Sequence, residues 1–556
     1  MTPSPRPALV TAEAAQRLPR LALILFCAAY LLPGLFGRDP WRGADLTAFG
    51  QMLAIAEGRS SWWLPTLGGV PTDAALLPHW LGAAAIVLTQ PWLDPALAAR
   101  LPFAALLALA LAGTWYATFH LARSEAAQPL PFAFGGEAAP LDYARAMADA
   151  ALLALMATLG LLQLGHETTP EIAQLAVVAG LQWVLAAASG SRPRIGVLLL
   201  LPALAACGAP TMALVLGAGA LGLSLTSRDG EVRALWPWLA AALVLAALAG
   251  WPTHSWAWRM ATVPAALPLL KLWLWFLWPA WPLALWTLWR WRSHLAERHL
   301  ALPGLVFGVA FAASLAMGGT DRALMLGLPG LAVLAAFALP TLQRGTAAAV
   351  DWFSVCFFTL AAGVIWVMYL AMQTGVPPRP AANIARLAPG FQAQVAWLPL
   401  LLALAGSVVW LALVRWRTGR HRAALWKSQV LPAGGVALCW LLLMTLWLPL
   451  LDYARSNRPL AQRLARHVPP GACIAVPDAS TSLVAALEFH GRHRVDAASH
   501  AAQGPCPVLM LVQRGEADSP GVAAARQAGW TEVARERRPT DRFEWTLVFR
   551  RAGPVS

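Results

Sequence analysis

The chain has 556 residues, of which 58% are hydrophobic and only 12% charged, with a formal net charge of +14. Soluble domains carry about 25% charged residues, so a water-facing surface cannot be built around this composition and lipid must be the solvent for most of the chain. The charges stand at the ends of apolar runs instead of along one basic stripe, a pattern of membrane orientation that excludes nucleic acid as a partner.

In chain order, Arg17 and Arg20 precede the apolar run 21–37. It is read as an uncleaved first span, because no small-x-small cleavage site follows and the residues before Cys27 are too bulky for a lipoprotein site. Further runs lie near 76–92, 101–121, 147–164, 171–189, 195–207, 210–226, 235–250, 266–289, 301–317, 323–340, 351–372, 394–414 and 430–450. The Lys/Arg-rich connectors 190–195, 290–300 and 415–429 are expected in the cytoplasm. Threading from them places 165–170, 251–265, 318–322 and 373–393 outside, and the N-terminus inside. The run 76–92, with Pro78, His79 and Gln90, then has both ends outside and reads as a helix along the outer interface. The expected fold is an α-helical integral membrane protein, residues 1–450, with an outer loop 38–100 and about thirteen transmembrane helices.

Composition changes at about 451, where a small C-terminal α/β domain, 451–556, begins. Helices are expected at 460–467, 481–489 and 522–528, and strands at 472–476, 493–496, 508–513, 531–537 and 545–550. Alternation of this kind implies a partly parallel sheet. Cys473 and Cys506 each open an expected strand. In an oxidising compartment they would close a loop of about 30 residues, worth roughly 3–4 kcal/mol; otherwise they are two buried thiols. The tail carries no Gly-rich phosphate loop, CxxC pair or His/Cys metal spacing.

Polar chemistry concentrates in the first outer loop, GRDPWRGADLTAFGQMLAIAEGRSSWWLPTLGGVPTDAALLPHWL, residues 37–81. Residues 45–57 read as an interfacial helix, with Trp62, Trp63 and Trp80 as headgroup anchors. This loop resembles that of the polytopic lipid-linked sugar glycosyltransferases of GT-C type, which include the aminoarabinose transferases of lipid A and, more distantly, the protein O-mannosyltransferases. In that family an Asp-Glu start is followed by an aromatic residue, a Trp-x-x-Pro segment, a Glu-Lys-Pro and a Tyr-Trp. Here those positions fall on Asp45-Leu46, Phe49, Trp62 to Pro65, Ala74-Ala75-Leu76 and His79-Trp80. The resemblance continues in Ala99-Arg100-Leu101-Pro102 and in Thr169-Pro170-Glu171, where relatives often carry an acid. It departs at Leu46, which replaces an acid, and at Ala74-Ala75, which replace the Glu-Lys pair.

The resemblance implies a membrane glycosyltransferase of the bacterial inner membrane, GT-C-like in fold, with a periplasmic C-terminal domain. Its partners would be a polyprenyl-phosphate sugar donor, membrane lipid, and an envelope acceptor (lipid A, another glycolipid or a protein). No cofactor is expected, since the usual ligands of a divalent metal are not matched, and His254 alone makes no metal site. Asp45 is the candidate catalytic base, and an Asp there also suits a helix N-cap. Glu171 is a candidate second-loop catalytic acid, in a position where an acid also complements a helix dipole. Arg42, Arg100, Arg259, Lys271 and Arg322 are candidate substrate-binding cations in place of the missing lysine. Lys271 stands inside an apolar run, where a lysine is either functional or snorkels to the interface. Two other readings remain: a catalytically degenerate relative acting as a binding or accessory protein, and a lipid or sugar transporter. Few intramembrane charges and no paired broken helices weigh against the last.

Overall fold

The computed structural model describes residues 9–72, 75–132, 135–251, 260–262, 264–342, 344–419, 424–498, 506–515 and 519–551. It is mainly helical. Among the described residues, seven helices are long and apolar enough to cross a bilayer, with shorter apolar helices such as Arg20–Leu31, Pro210–Thr226 and Ala266–Phe276 beside them. The chain is a multi-pass membrane protein. It divides into two compact units, one of Met1–Leu35, Phe103–Val364 and Leu398–Thr445, the other of Phe36–Pro102, Ile365–Trp397 and Leu446–Ser556.

In the first unit, Pro140, Pro170 and Pro210 each open a helix, where the missing N–H is not needed and the fixed φ is already helical. Leu328–Ala338 is buried at every position and packs against Pro140–Ala157, Ala280–Arg290 and Arg298–Ala316. By contrast, Ala403 and Trp410 are the buried residues of Trp397–Thr418, an apolar helix whose remaining surface suits lipid. Several expected runs are broken, two of them against each other. Residues 147–164 form Pro140–Ala157 and Leu159–Leu164, and 266–289 form Ala266–Phe276 and Ala280–Arg290. Pro279 has no N–H to continue a helix. Each break serves the other: Leu159 N–H donates to the Trp278 carbonyl at 3.0 Å, and Gly160, lacking a Cβ, admits the Phe276 ring. Broken backbone at membrane depth is tolerated where other protein groups satisfy it. Two carboxylates of this unit are paired. Asp149 accepts from Leu18 N–H and Trp115 Nε1, each at 2.8 Å, and Asp351 is ion-paired with Arg417.

The second unit contains a short antiparallel hairpin, β1 (Thr66–Leu67) and β2 (Val70–Pro71), and a five-stranded sheet. The sheet strands are β3 (Cys473–Ala475), β4 (Arg494–Asp496), β5 (Val508–Arg514), β6 (Trp530–Glu536) and β7 (Glu544–Arg551), in the order β4-β3-β5-β7-β6. Strand β3 pairs parallel with β4 and β5, while β7 pairs antiparallel with β5 and β6. The sheet is therefore partly parallel, as the alternation of the tail implied. Successive residues of β5 enter opposite cores. Val508 and Met510 pack with Leu464, Leu483 and Leu487, while Leu509 and Leu511 pack with Val522, Ala525 and Phe549.

Cys473 and Cys506 are joined by a disulfide with a Cα–Cα separation of 4.9 Å. Replacing Cys473 with Ser is expected to lower the stability of this sheet by about 3–4 kcal/mol, the closure entropy of such a loop. The check is the denaturation midpoint of the tail with and without reductant; a midpoint insensitive to both the substitution and the reductant contradicts it.

The helix expected at 45–57 of the first loop is Ala44–Ala56. It is buried at Asp45, Leu46 and every position from Ala48 to Ile55. Its neighbours within this unit are Leu76–Thr89 and the tail helix Thr481–Phe489. A Cβ on Gly50 would stand 2.5 Å from the Ala485 Cβ, so glycine permits the close crossing. Phe49 meets Phe489 edge-on at 4.7 Å, Gly43 N–H donates to Ser482 Oγ at 2.9 Å, and Arg59 pairs with Glu488.

Candidate functional site

The segment 38–45 turns sharply into its helix because Gly43, at φ 92°, occupies the N-cap. That left-handed region favours glycine, so Asp45 is not the cap as expected but sits in the first helical turn, where an acid complements the dipole. Its Oδ2 accepts the Trp41 N–H at 3.0 Å and lies 3.4 Å from Arg38 Nη2, with 2% and 0% of the two side chains exposed. Arg38 also stands over the Trp41 ring at 4.8 Å, as does Arg455 at 4.9 Å. Trp41 Nε1 donates to Asp452 Oδ1 at 2.8 Å, Asp39 N–H donates to Asp452 Oδ2 at 3.3 Å, and Asp39 is paired with Arg458. Arg100, 4% exposed, lies within electrostatic reach of Arg38, Asp39, Asp45 and Asp452. The loop and the start of the tail thus form one network of alternating charge, buried at Arg38, Asp45 and Arg100 and half exposed at Arg458. Arg42 points elsewhere, and its guanidinium is half exposed, 3.9 Å from Asp541.

Burial pushes the Asp452 carboxyl up to about 6, against the hydrogen bond from Trp41, which favours the carboxylate. A folded value above the unfolded one of about 3.9 means this group adds stability that is full below about pH 4 and is lost as pH rises through about 6. The loss amounts to about 3 kcal/mol at most, at roughly 1.4 kcal/mol per pH unit. Asp452→Asn, which keeps an acceptor for Trp41, should abolish that slope in thermal-unfolding midpoints taken between pH 4 and 7.5. Parallel pH profiles for the variant and the unaltered protein would contradict the assignment.

In the first unit, the loop before Pro170–Ala187 holds a second cluster. Glu171 lies in the first turn of that helix, 3.5 Å from Arg322 Nη1, whose other partners are Thr169 Oγ1 at 3.2 Å and the buried Glu167. Arg322 is thus engaged by two carboxylates, which hold its guanidinium in the charged form more firmly than usual against the opposing effect of burial. His166 is also drawn inward. Its Nδ1 lies 2.7 Å from the Leu162 carbonyl and its Nε2 2.8 Å from the Tyr30 carbonyl, with the Trp440 ring at 4.6 Å. His166 and Glu167 are internal ties of this loop.

Lys271 is exposed on Ala266–Phe276. Arg259, His254 and Ala74 lie outside the described residues. Sequence reasoning missed Arg38, Asp452, Arg455 and Arg458. The signal available was the charged stretch DYARSNR directly after the last apolar run. Alanines at 74 and 75 offer no metal ligand, and among the described residues no group of three or more His, Cys, Asp or Glu is placed to hold a metal ion.

No family model matches the sequence, and no curated protein matches it. Among the solved structures that resemble this chain, two structures of one protein are similar over nearly the full length. ArnT from Cupriavidus metallidurans bound to undecaprenyl phosphate has a TM-score of 0.58 at 16% identity, covering 95% of this chain and 96% of that one. The same protein in the apo state has a TM-score of 0.59 at 15% identity, with the same coverage. The chain has the GT-C-type fold that the first-loop resemblance implied, with its small C-terminal sheet domain.

Proposed function

We propose that the protein is a membrane glycosyltransferase that moves a sugar from a polyprenyl-phosphate donor to an envelope acceptor. In this reading the acceptor hydroxyl attacks the anomeric carbon, its proton passes to the Asp45 carboxylate, the carbon–oxygen bond to phosphate breaks, and polyprenyl phosphate leaves. The observation that carries the reading is the retained aspartate of the first loop, buried and oriented from two sides by Trp41 and Arg38. Arg100 is the cation of the same network proposed for the leaving phosphate. Glu171, Lys271 and Arg322 are kept as substrate-facing candidates, with Glu171 and Arg322 acting as a pair. The distribution of Lys and Arg supports about thirteen spans in the bacterial inner membrane, an N-terminus in the cytoplasm and a tail in the periplasm.

One observation favours a binding or accessory role instead. Arg38 and the Trp41 N–H both engage Asp45 Oδ2, and such partners weaken a carboxylate as a base. The two readings separate in a deletion strain whose envelope glycolipids and glycoproteins are profiled by mass spectrometry. Transfer predicts loss of a sugar-bearing species that returns with the gene. An unchanged profile turns the assignment to the accessory role.

A further inference from the structure

Outside the buried network, the second unit has a cavity of about 400 Å³ whose walls include Arg42, Arg538, Thr540, Asp541, Arg542 and Phe543. Its walls are tied in place. Arg42 N–H donates to the Arg455 carbonyl at 2.9 Å, and the Ala454 carbonyl accepts from Thr540 Oγ1 at 3.3 Å and Arg538 Nη1 at 3.5 Å. The charges do not balance. Asp541 is committed to Arg538 at 2.6 Å and reaches Arg42 only at 3.9 Å. Arg542 has no hydrogen-bond or ion-pair partner among the described residues. Three guanidinium groups against one carboxylate leave two positive charges lining one concavity. Burial, and then the neighbouring Arg538, disfavour the charged form of Arg42, against the carboxylates of Asp541 and Glu544.

We propose that this cavity binds a phosphoryl dianion, either free phosphate or the phosphate monoester of a lipid headgroup. A phosphate monoester carries about −1.5 to −2 charges and three acceptor oxygens, which matches the excess where a carboxylate would leave one cation over. Arginine forks suit such oxygens in pairs. The volume is several times that of a phosphate, so the group it belongs to can extend along the wall. Phe543, 75% exposed at the rim, offers an apolar contact to a lipid. The inference stands apart from sugar transfer and is tested without an activity.

The full-length protein in phosphatidylcholine nanodiscs is titrated with inorganic phosphate, with sulfate as the competing anion, and by calorimetry. In a second arm its binding to phosphatidylcholine vesicles is measured with and without phosphatidic acid. Arg542→Ala, at an exposed and unpartnered position, is expected to weaken binding on the order of tenfold, the effect of one charge-assisted contact. Arg535→Ala, an exposed arginine on β6, is expected to leave it unchanged. Phosphate binding that depends on Arg542 supports a free-phosphate site. Dependence on Arg542 with phosphatidic acid alone supports a headgroup site. Absence of binding in both arms, equal binding of sulfate, or equal loss in Arg535→Ala overturns the proposal.

Discussion

Asp45→Asn is expected to lower sugar transfer by about 10²–10⁴-fold, the usual contribution of a placed general base. The amide keeps an oxygen for the Trp41 N–H but cannot take a proton. The complication is stability, since Arg38 is fully buried beside it and would be left facing a neutral group. Breaking a buried pair by removing one partner typically destabilises by about 3–5 kcal/mol, whereas removing both is often neutral. The informative comparison is therefore Asp45→Asn alone against Asp45→Asn with Arg38→Gln. Thermal midpoints should fall in the single variant and recover in the double, while neither restores the sugar-bearing species to a deletion strain. A double variant that regains both stability and the sugar product would remove Asp45 as the base and leave it as a structural partner of Arg38.

What the sequence made legible follows the range of the forces involved. In the tail, β6 alternates in burial while β5 and β7 are short apolar runs buried on both faces, both of them local signals, and the expected helix at 481–489 coincides with Thr481–Phe489. Apolar runs likewise announced the helices, because lipid demands internally bonded backbone. The breaks at Thr158 and Trp278 escaped notice because each is satisfied by the other, far along the chain. The partners of the first loop escaped for the same reason: Trp41 and Asp452 are 411 residues apart and meet only in the folded unit. Asp45 itself was legible as a residue of interest, but its position in the helix was not. Aspartate is a favoured cap, yet Gly43 takes the cap because the turn there needs a positive φ. The division of the chain into units was equally hidden. Segments 36–102 and 365–397 gather with the tail through packing such as Gly50 on Ala485 and the bond from Tyr453 to the Pro389 carbonyl, which composition does not record.

Removing the cation of the second cluster should be nearly as damaging as unpairing Asp45, and with an opposite remedy. Arg322→Met leaves Glu167, 5% exposed, beside Glu171 with no guanidinium to balance them. The expected loss is about 2–4 kcal/mol, reduced from the fully buried case because Arg322 is itself 23% exposed. The deficit is read in thermal midpoints measured in detergent at neutral pH. Adding Glu167→Gln should restore most of the stability at neutral pH, because a neutral amide no longer repels Glu171. A deficit untouched by Glu167→Gln would mean that Arg322 holds the loop through packing and its Thr169 bond, and that the charge of this cluster is available for a substrate.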